Sequence, residues 1–342
     1  MSMTRLFSSI LFLIITIGCS LSGCTRGEPT IFTIAVHPTN PNILYLSTRE
    51  TIYKSRNGGQ TWTPLHEGLE QAQVISLAID PVLSSTVYAG TFATAVYKSS
   101  DGGQRWRPAN IGLKGHVSVV NAIAIHPKDR NIVYIGTTIG PYRSTDGGES
   151  WVEIVHGMES VYVASFAIDP QNPSTLYAGT TGGMYKSIDG GDRWQEINQG
   201  LFEESANTAM ALGVNTIAID PIDTQNLFIG TTQGSFATIN GGKQWIAKNM
   251  GLEAKFVARL LIDPQNRNVL YAGTEKGVYK STDRAENWTA INNGLTNLVV
   301  RSMAFDPSNS NTLYVGTQGG LFKSADGGNT WTQMRIRGTQ GA

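Results

Sequence analysis

Between Val161 and Asn198 the apolar and polar positions change pattern several times over a short stretch, and each change marks a strand. Residues 161–168, VYVASFAI, alternate and are rich in β-branched and aromatic side chains, which predicts a strand that Asp169 and Pro170 bring to an end. LYAGT at 176–180 predicts a second strand, Gly182-Gly183 a turn, and MYKS at 184–187 a third strand. Ile188, Asp189, Gly190 and Gly191 follow, and Trp194 opens a fourth strand that ends near Asn198. Four short strands in this order make an antiparallel meander. The same order can be read from Ile31 to Leu65 and again from Val299 to Met334.

Tryptophan counts the copies. Seven occur, at Trp62, Trp106, Trp151, Trp194, Trp245, Trp288 and Trp331, spaced by 44, 45, 43, 51, 43 and 43 residues. A period of this length suits a four-stranded propeller blade and is long for helical repeats. The expected fold is therefore all-β: a seven-bladed β-propeller of four-stranded antiparallel blades. Because the first and last units both look whole, the ring is expected to close without one end lending a strand to the other.

Each tryptophan closes the same phrase: SRNGGQTW, SSDGGQRW, STDGGESW, SIDGGDRW, TINGGKQW, STDRAENW and SADGGNTW. An aspartate side chain can accept backbone N–H bonds two residues on, and the glycines after it take positive φ at little cost, so the phrase predicts a tight turn between strands three and four. The tryptophan ring then packs against neighbouring strands. These phrases resemble the Asp-box, or bacterial neuraminidase repeat, which with its flanking strands covers nearly all of the chain beyond the first residues. The acceptor position is filled by Asn57, Asp101, Asp146, Asp189, Asn240, Asp283 and Asp326. In the sixth copy Arg284 and Ala285 replace both glycines, so that turn is expected to find another geometry. A reaction needs one asymmetric site, whereas these acids recur around a ring and have a sufficient structural role.

Composition excludes several partners. With 26 basic and 26 acidic residues the net charge is zero, so no electrostatic footprint suggests nucleic acid. Both cysteines lie near the N-terminus, at Cys19 and Cys24, which leaves the repeats without a disulfide or cysteine metal site. No cofactor or metal is expected. Arg5, the apolar run from Leu6 to Gly18 and the small residues after it read as a secretory signal. Leu21-Ser22-Gly23-Cys24 resembles the bacterial lipobox, which implies acylation of Cys24; Cys19 is a poorer match. Thr25 after the cysteine, by resemblance to Gram-negative lipoprotein sorting, favours the outer membrane. The expected organisation is a signal at 1–23, a tether at 24–29, the propeller at 30–335 and a tail at 336–342, exported to the periplasmic side of the outer membrane or the cell surface.

Departures from the period point to a binding face. Against a base interval of 43, surplus residues fall at Phe92 to Ala95, between Gly112 and His126, and between Gly200 and Asp220. All lie in turns between strands two and three or in links between blades, which share the face opposite the Asp-box turns. Loops on a rigid scaffold are where function varies. The candidate face comprises Arg49, Glu50, Phe92, His116, Phe202, Glu203, Glu204, Lys255, Arg259, Glu275, Lys276 and Arg301. Arg259 stands where six other blades carry Thr33, Ser76, Ala122, Ser165, Thr216 and Ser302, and Arg301 lies one place earlier in blade seven. If the first strand is innermost, both guanidiniums approach the mouth of the central channel and form a basic pocket for a carboxylate or an acidic segment. Glu203, Glu204 or Glu275 could instead neutralise them.

Catalytic readings find less support. His37 and His126 occupy a corner held elsewhere by aspartate, and His66 and His156 lie in links, so these four read as turn residues; only His116 sits in an insertion. Asp-box sialidases carry an Arg-Ile-Pro motif that is missing here, and Asp-box xyloglucan hydrolases place one carboxylate from each of two propellers across a cleft. Glycoside hydrolysis needs two suitably separated carboxylates, and Glu50 with Glu203, Glu204 or Glu275 is the one combination on the variable face. A single exported seven-bladed Asp-box propeller is similar to the photosystem II stability and assembly factor family and its relatives in non-photosynthetic bacteria. That resemblance implies a non-enzymatic, membrane-tethered platform for a protein partner, probed against the alternative of a glycoside hydrolase or glycan-binding protein.

Overall fold

The computed structural model describes residues 27–69, 72–115, 117–202 and 212–336. The signal, Cys24, His116, Glu203 and Glu204 lie outside these residues. Seven antiparallel sheets are present, each of four strands in sequence order. Blade four contains Val163–Ile168, Leu176–Thr180, Gly183–Ser187 and Gln195–Glu196, close to the sequence reading except that Val161 and Tyr162 stay in the link before the first strand and the outer strand is only two residues long. The chain is a seven-bladed β-propeller.

The outer strands are short because the tryptophan that precedes each one faces the previous blade. The backbone N–H of Trp194 donates to the His156 carbonyl at 2.9 Å, and its indole Nε1 donates to Ile154 at 2.8 Å, both on blade three. Trp151, Trp245, Trp288 and Trp331 repeat both bonds one blade earlier. Each ring is almost fully buried in a cluster shared by two blades. The tryptophans are thus joints between blades more than parts of a single sheet.

The Asp-box works by a different bond set from the one expected. Asp146 Oδ1 accepts the Ser144 hydroxyl at 2.7 Å and the backbone N–H of Ser150, four residues on, at 2.9 Å. The serine in turn accepts the Gly148 N–H at 2.7 Å. Aspartate two residues past a serine therefore reaches across the whole loop, because the two left-handed glycines fold the far side back over it. Asn57 and Asn240 keep the same acceptor role toward Thr61 and Gln244.

The sixth box also departs from expectation. Arg284 and Ala285 hold φ of 61° and 70°, the same left-handed path as the glycines of the other boxes. Retaining that backbone in side-chain-bearing residues costs strain, and the joint with blade five offsets it. In five other joints a tyrosine of strand two, a lysine or arginine of strand three, or both, donate to the first box glycine of the next blade: Tyr45 and Lys54 to Gly102, Tyr88 to Gly147, Tyr134 and Arg143 to Gly190, Lys186 to Gly241, Tyr271 and Lys280 to Gly327. Blade five has Phe228 and Ala237 at those two places. Arg284 supplies what they lack, lying over the Phe228 ring at 5.7 Å and reaching Asp220 at 3.2 Å. Three departures in two blades are one exchanged joint.

The ring closes by packing. Ile31 of blade one sits where a Cβ on Gly316 of blade seven would lie, as Val163 does against Gly136, and the Ile31 N–H donates to the Thr317 carbonyl at 3.0 Å. Among the described residues each sheet is built of four consecutive strands, and none is exchanged between the ends.

Candidate functional site

The first strand of each blade starts at the link face and lines the channel. In blades two to seven a bulge near its start puts two successive residues on one side, as between Val257 and Arg259 and between Val300 and Ser302. In most blades a short polar side chain at or near this bulge caps a carbonyl of the next blade. Ser76 donates to Val120 at 2.9 Å, Asn121 to Val163 at 3.0 Å, Ser165 to Val214 at 3.3 Å and Asn215 to Val257 at 3.0 Å. From blade one, Ser47 of the second strand donates to Val74 at 2.8 Å.

Blades six and seven break this series with arginine. Arg259 turns one donor, Nη1, back to the adjacent Ala258 carbonyl at 2.8 Å. Burial and the neighbouring Arg301 charge both push its pKa below the ordinary guanidinium value. The Arg301 Nε and Ser302 Oγ atoms are buried and have no hydrogen-bond partner. Among the described residues no carboxylate lies within ion-pairing distance of either arginine. Two like charges therefore lie beside each other at one channel mouth, with Arg301 Nε an unused donor.

Glu275 does not neutralise the pair. Its Oε1 accepts the Lys255 backbone N–H at 3.1 Å, which ties the turn of blade six to the link before that blade, and its Oε2 is buried without a partner. Lys255 and Lys276 are exposed beside it. Arg49 and Glu50 are exposed in the second-to-third turn of blade one. Phe92 and Phe202 are exposed on blade two and on the link after blade four. The structure therefore sets Arg259 beside Arg301 on adjacent blades and Glu275 beside Lys255, with Lys276 next in the chain, and places Arg49, Glu50, Phe92 and Phe202 elsewhere on the same face.

The sequence reading missed an apolar component. Val161, Tyr162, Phe256 and Leu298 are exposed within the last two residues before the first strands of blades four, six and seven. Their signal was available: they are large apolar residues in links that elsewhere carry Gln73 or Gly213. The two corner histidines act as turn residues: Nδ1 of His37 accepts the Thr39 and Asn40 N–H groups, and His126 does the same for Lys128 and Asp129. Among the described residues no group of three or more His, Cys, Asp or Glu side chains could hold a metal ion.

Comparison with known proteins agrees on the propeller. The sequence model of the Sortilin-Vps10 family (sortilin, neurotensin receptor 3) matches residues 50–139. No curated protein sequence matches the chain. Among solved structures, the GH74 enzyme of Niastella koreensis is 19% identical with a TM-score of 0.74, covering 89% of this chain and 54% of that one. This chain thus spans about half the length of that enzyme. YCF48 from Cyanidioschyzon merolae is 17% identical with a TM-score of 0.62, over 87% of this chain and 96% of that one. A YCF48 bound to D1 peptide is 20% identical with a TM-score of 0.57, over 77% and 81%. At these identities the shared property is the fold.

Proposed function

We propose that this propeller is a non-enzymatic protein-binding scaffold, exported and tethered through acylated Cys24, whose link face holds an acidic or carboxylate-bearing segment of a protein partner. The observation that carries the reading is the Arg259–Arg301 pair, with the Arg301 Nε buried and unpartnered at the two joints where short polar caps give way to arginine. A forked guanidinium suits a carboxylate, and the exposed Tyr162, Phe256 and Leu298 offer apolar area around it. The YCF48 structure with a bound peptide supports a propeller of this form as a peptide platform. Affinity capture with the wild-type protein and with Arg259→Ala/Arg301→Ala tests it: a specific partner retained by the first and lost by the second is expected, and equal capture by both removes the idea.

The GH74 likeness favours a second reading, a carbohydrate-active or glycan-binding protein. Turnover in an oligosaccharide hydrolysis screen would establish that reading over the scaffold.

A further inference from the structure

The joint between blades seven and one differs from the other six. The donors that close five joints over the next Asp-box are present there as Tyr314 and Lys323, yet among the described residues neither donates to Gly58, the first box glycine of blade one. A Cβ on Gly58 would meet only Asn42 Oδ1, at 3.6 Å, whereas one on Gly327 would meet Lys280 Nζ at 3.3 Å and Tyr271 Oη at 3.5 Å. Trp62 Nε1 is buried without a partner, as Trp106 Nε1 is in blade two, while the Trp62 ring packs with Tyr314 and Leu321 of blade seven. Beside this packed core lies a slot of about 740 Å³ between the two blades.

The slot is lined by cations on one side and neutral amides on the other. Lys323 and Arg335 come from blade seven, and neither has a carboxylate in ion-pairing distance among the described residues. The facing wall has Asn57 and Gln60, where boxes three, four and six carry Asp146 and Glu149, Asp189 and Asp192, and Asp283 and Glu286. In blades three, four and six the second of these acids binds a cation of the preceding blade, as Glu149 binds Lys98, Asp192 binds Arg143 and Glu286 binds Lys248. Blade one has lost both acids, so the cations opposite are left for another anion. Asp326 also borders the slot, but its carboxylate is taken up by the Thr330 and Ser324 hydroxyls and the Thr330 N–H.

We propose that this slot binds an acidic saccharide, with a uronate carboxylate on Lys323 and Arg335 and sugar hydroxyls on the amides of Gln60, Asn42 and Gln333. Its volume lies in the range of small-ligand sites, and its walls offer amides and hydroxyls with Met334 as the one long apolar side chain. A protein partner would need apolar or aromatic anchors that these walls do not provide. The site is separate from the Arg259–Arg301 pair, being on the Asp-box side of the ring.

The test is calorimetric titration of the soluble protein with a galacturonate trisaccharide, a neutral glucose trisaccharide and inorganic sulfate. Uronate binding is expected, weakened about tenfold or more by Lys323→Met and by Gln60→Glu, the size of one lost or opposed charge-assisted bond. Arg259→Ala/Arg301→Ala is expected to leave it unchanged, which separates this site from the scaffold reading. Gln60→Glu places there the acid that boxes three and six carry and so tests charge without endangering the fold. No uronate binding, binding indifferent to both slot variants, or sulfate binding as tight as the trisaccharide would each overturn the proposal.

Discussion

Arg284 Nη2 lies 3.2 Å from Oδ2 of Asp220, a side chain with no exposed surface, and this contact fastens blade six to blade five. Burial alone would raise the Asp220 pKa, but the Ile222 and Asp223 N–H groups and Arg284 outweigh it and hold the carboxyl below its ordinary value. Arg284→Gly, although it restores the common box sequence, is expected to destabilise the protein by about 1–3 kcal/mol: loss of a buried pair outweighs the relief of left-handed strain. Adding Phe228→Tyr and Ala237→Lys should recover most of that loss by rebuilding the usual joint. Urea unfolding of the single, double and triple variants measures the coupling.

The unpaired arginines are expected to cost stability in the free protein. Arg259→Met should raise the unfolding midpoint, because it removes a partly buried charge that has no counter-ion among the described residues, while abolishing the gain that a bound anion gives the wild type. Thermal unfolding with and without an acidic peptide checks both halves. A midpoint lowered by the substitution would mean that Arg259 is neutralised in the free protein.

The tryptophans are not equivalent. Trp151→Phe strips a donor from the buried Ala109 carbonyl and should cost about 1–3 kcal/mol, whereas Trp62→Phe removes an Nε1 that has no partner and should cost less. Either residue changed to alanine should cost about 3–5 kcal/mol through the cavity left behind. Denaturation midpoints of the four variants rank them.

Alkaline pH should open the joints. Tyr45, Tyr88, Tyr177, Tyr271 and Tyr314 have pKa values pushed up to about 12, chiefly by burial. A raised folded-state pKa gives stability that is whole below pH 10, the unfolded value, and is lost as pH climbs through 12. Lys54 acts oppositely: burial lowers it to about 8, so the cost of its charge is relieved between pH 8 and 10.5. Stability should therefore hold or rise slightly to about pH 10 and then fall steeply. Tyrosinate absorbance that rises together with loss of the β circular dichroism signal would verify it; ionisation of these phenols in a folded ring would refute it.

The blades themselves were legible because strand alternation, turn residues and the tryptophan period are local, and seven copies reinforce one another. LYAGT at 176–180 was placed without error. The interior of the box was not, since the bond from Asp146 to the Ser150 N–H depends on how two glycines bend the loop. Likewise nothing in the order of residues says that Arg284, Phe228 and Ala237 belong to one contact, because they meet only across neighbouring blades.

The sequence by itself determined the repeat, the blade count and the strand order, for these follow from hydrophobic period and turn chemistry within a few tens of residues. It also marked Arg259 and Arg301 as departures. Only the tertiary structure decided that Arg301 has an unpartnered buried donor, that Glu275 turns to Lys255, and that Gly58 at the joint between blades seven and one lacks the donor groups that meet its counterparts. A repeat fixes what each unit is, whereas the hydrogen bonds between units depend on closing the ring, where the small angular errors of seven similar joints must be absorbed at one place.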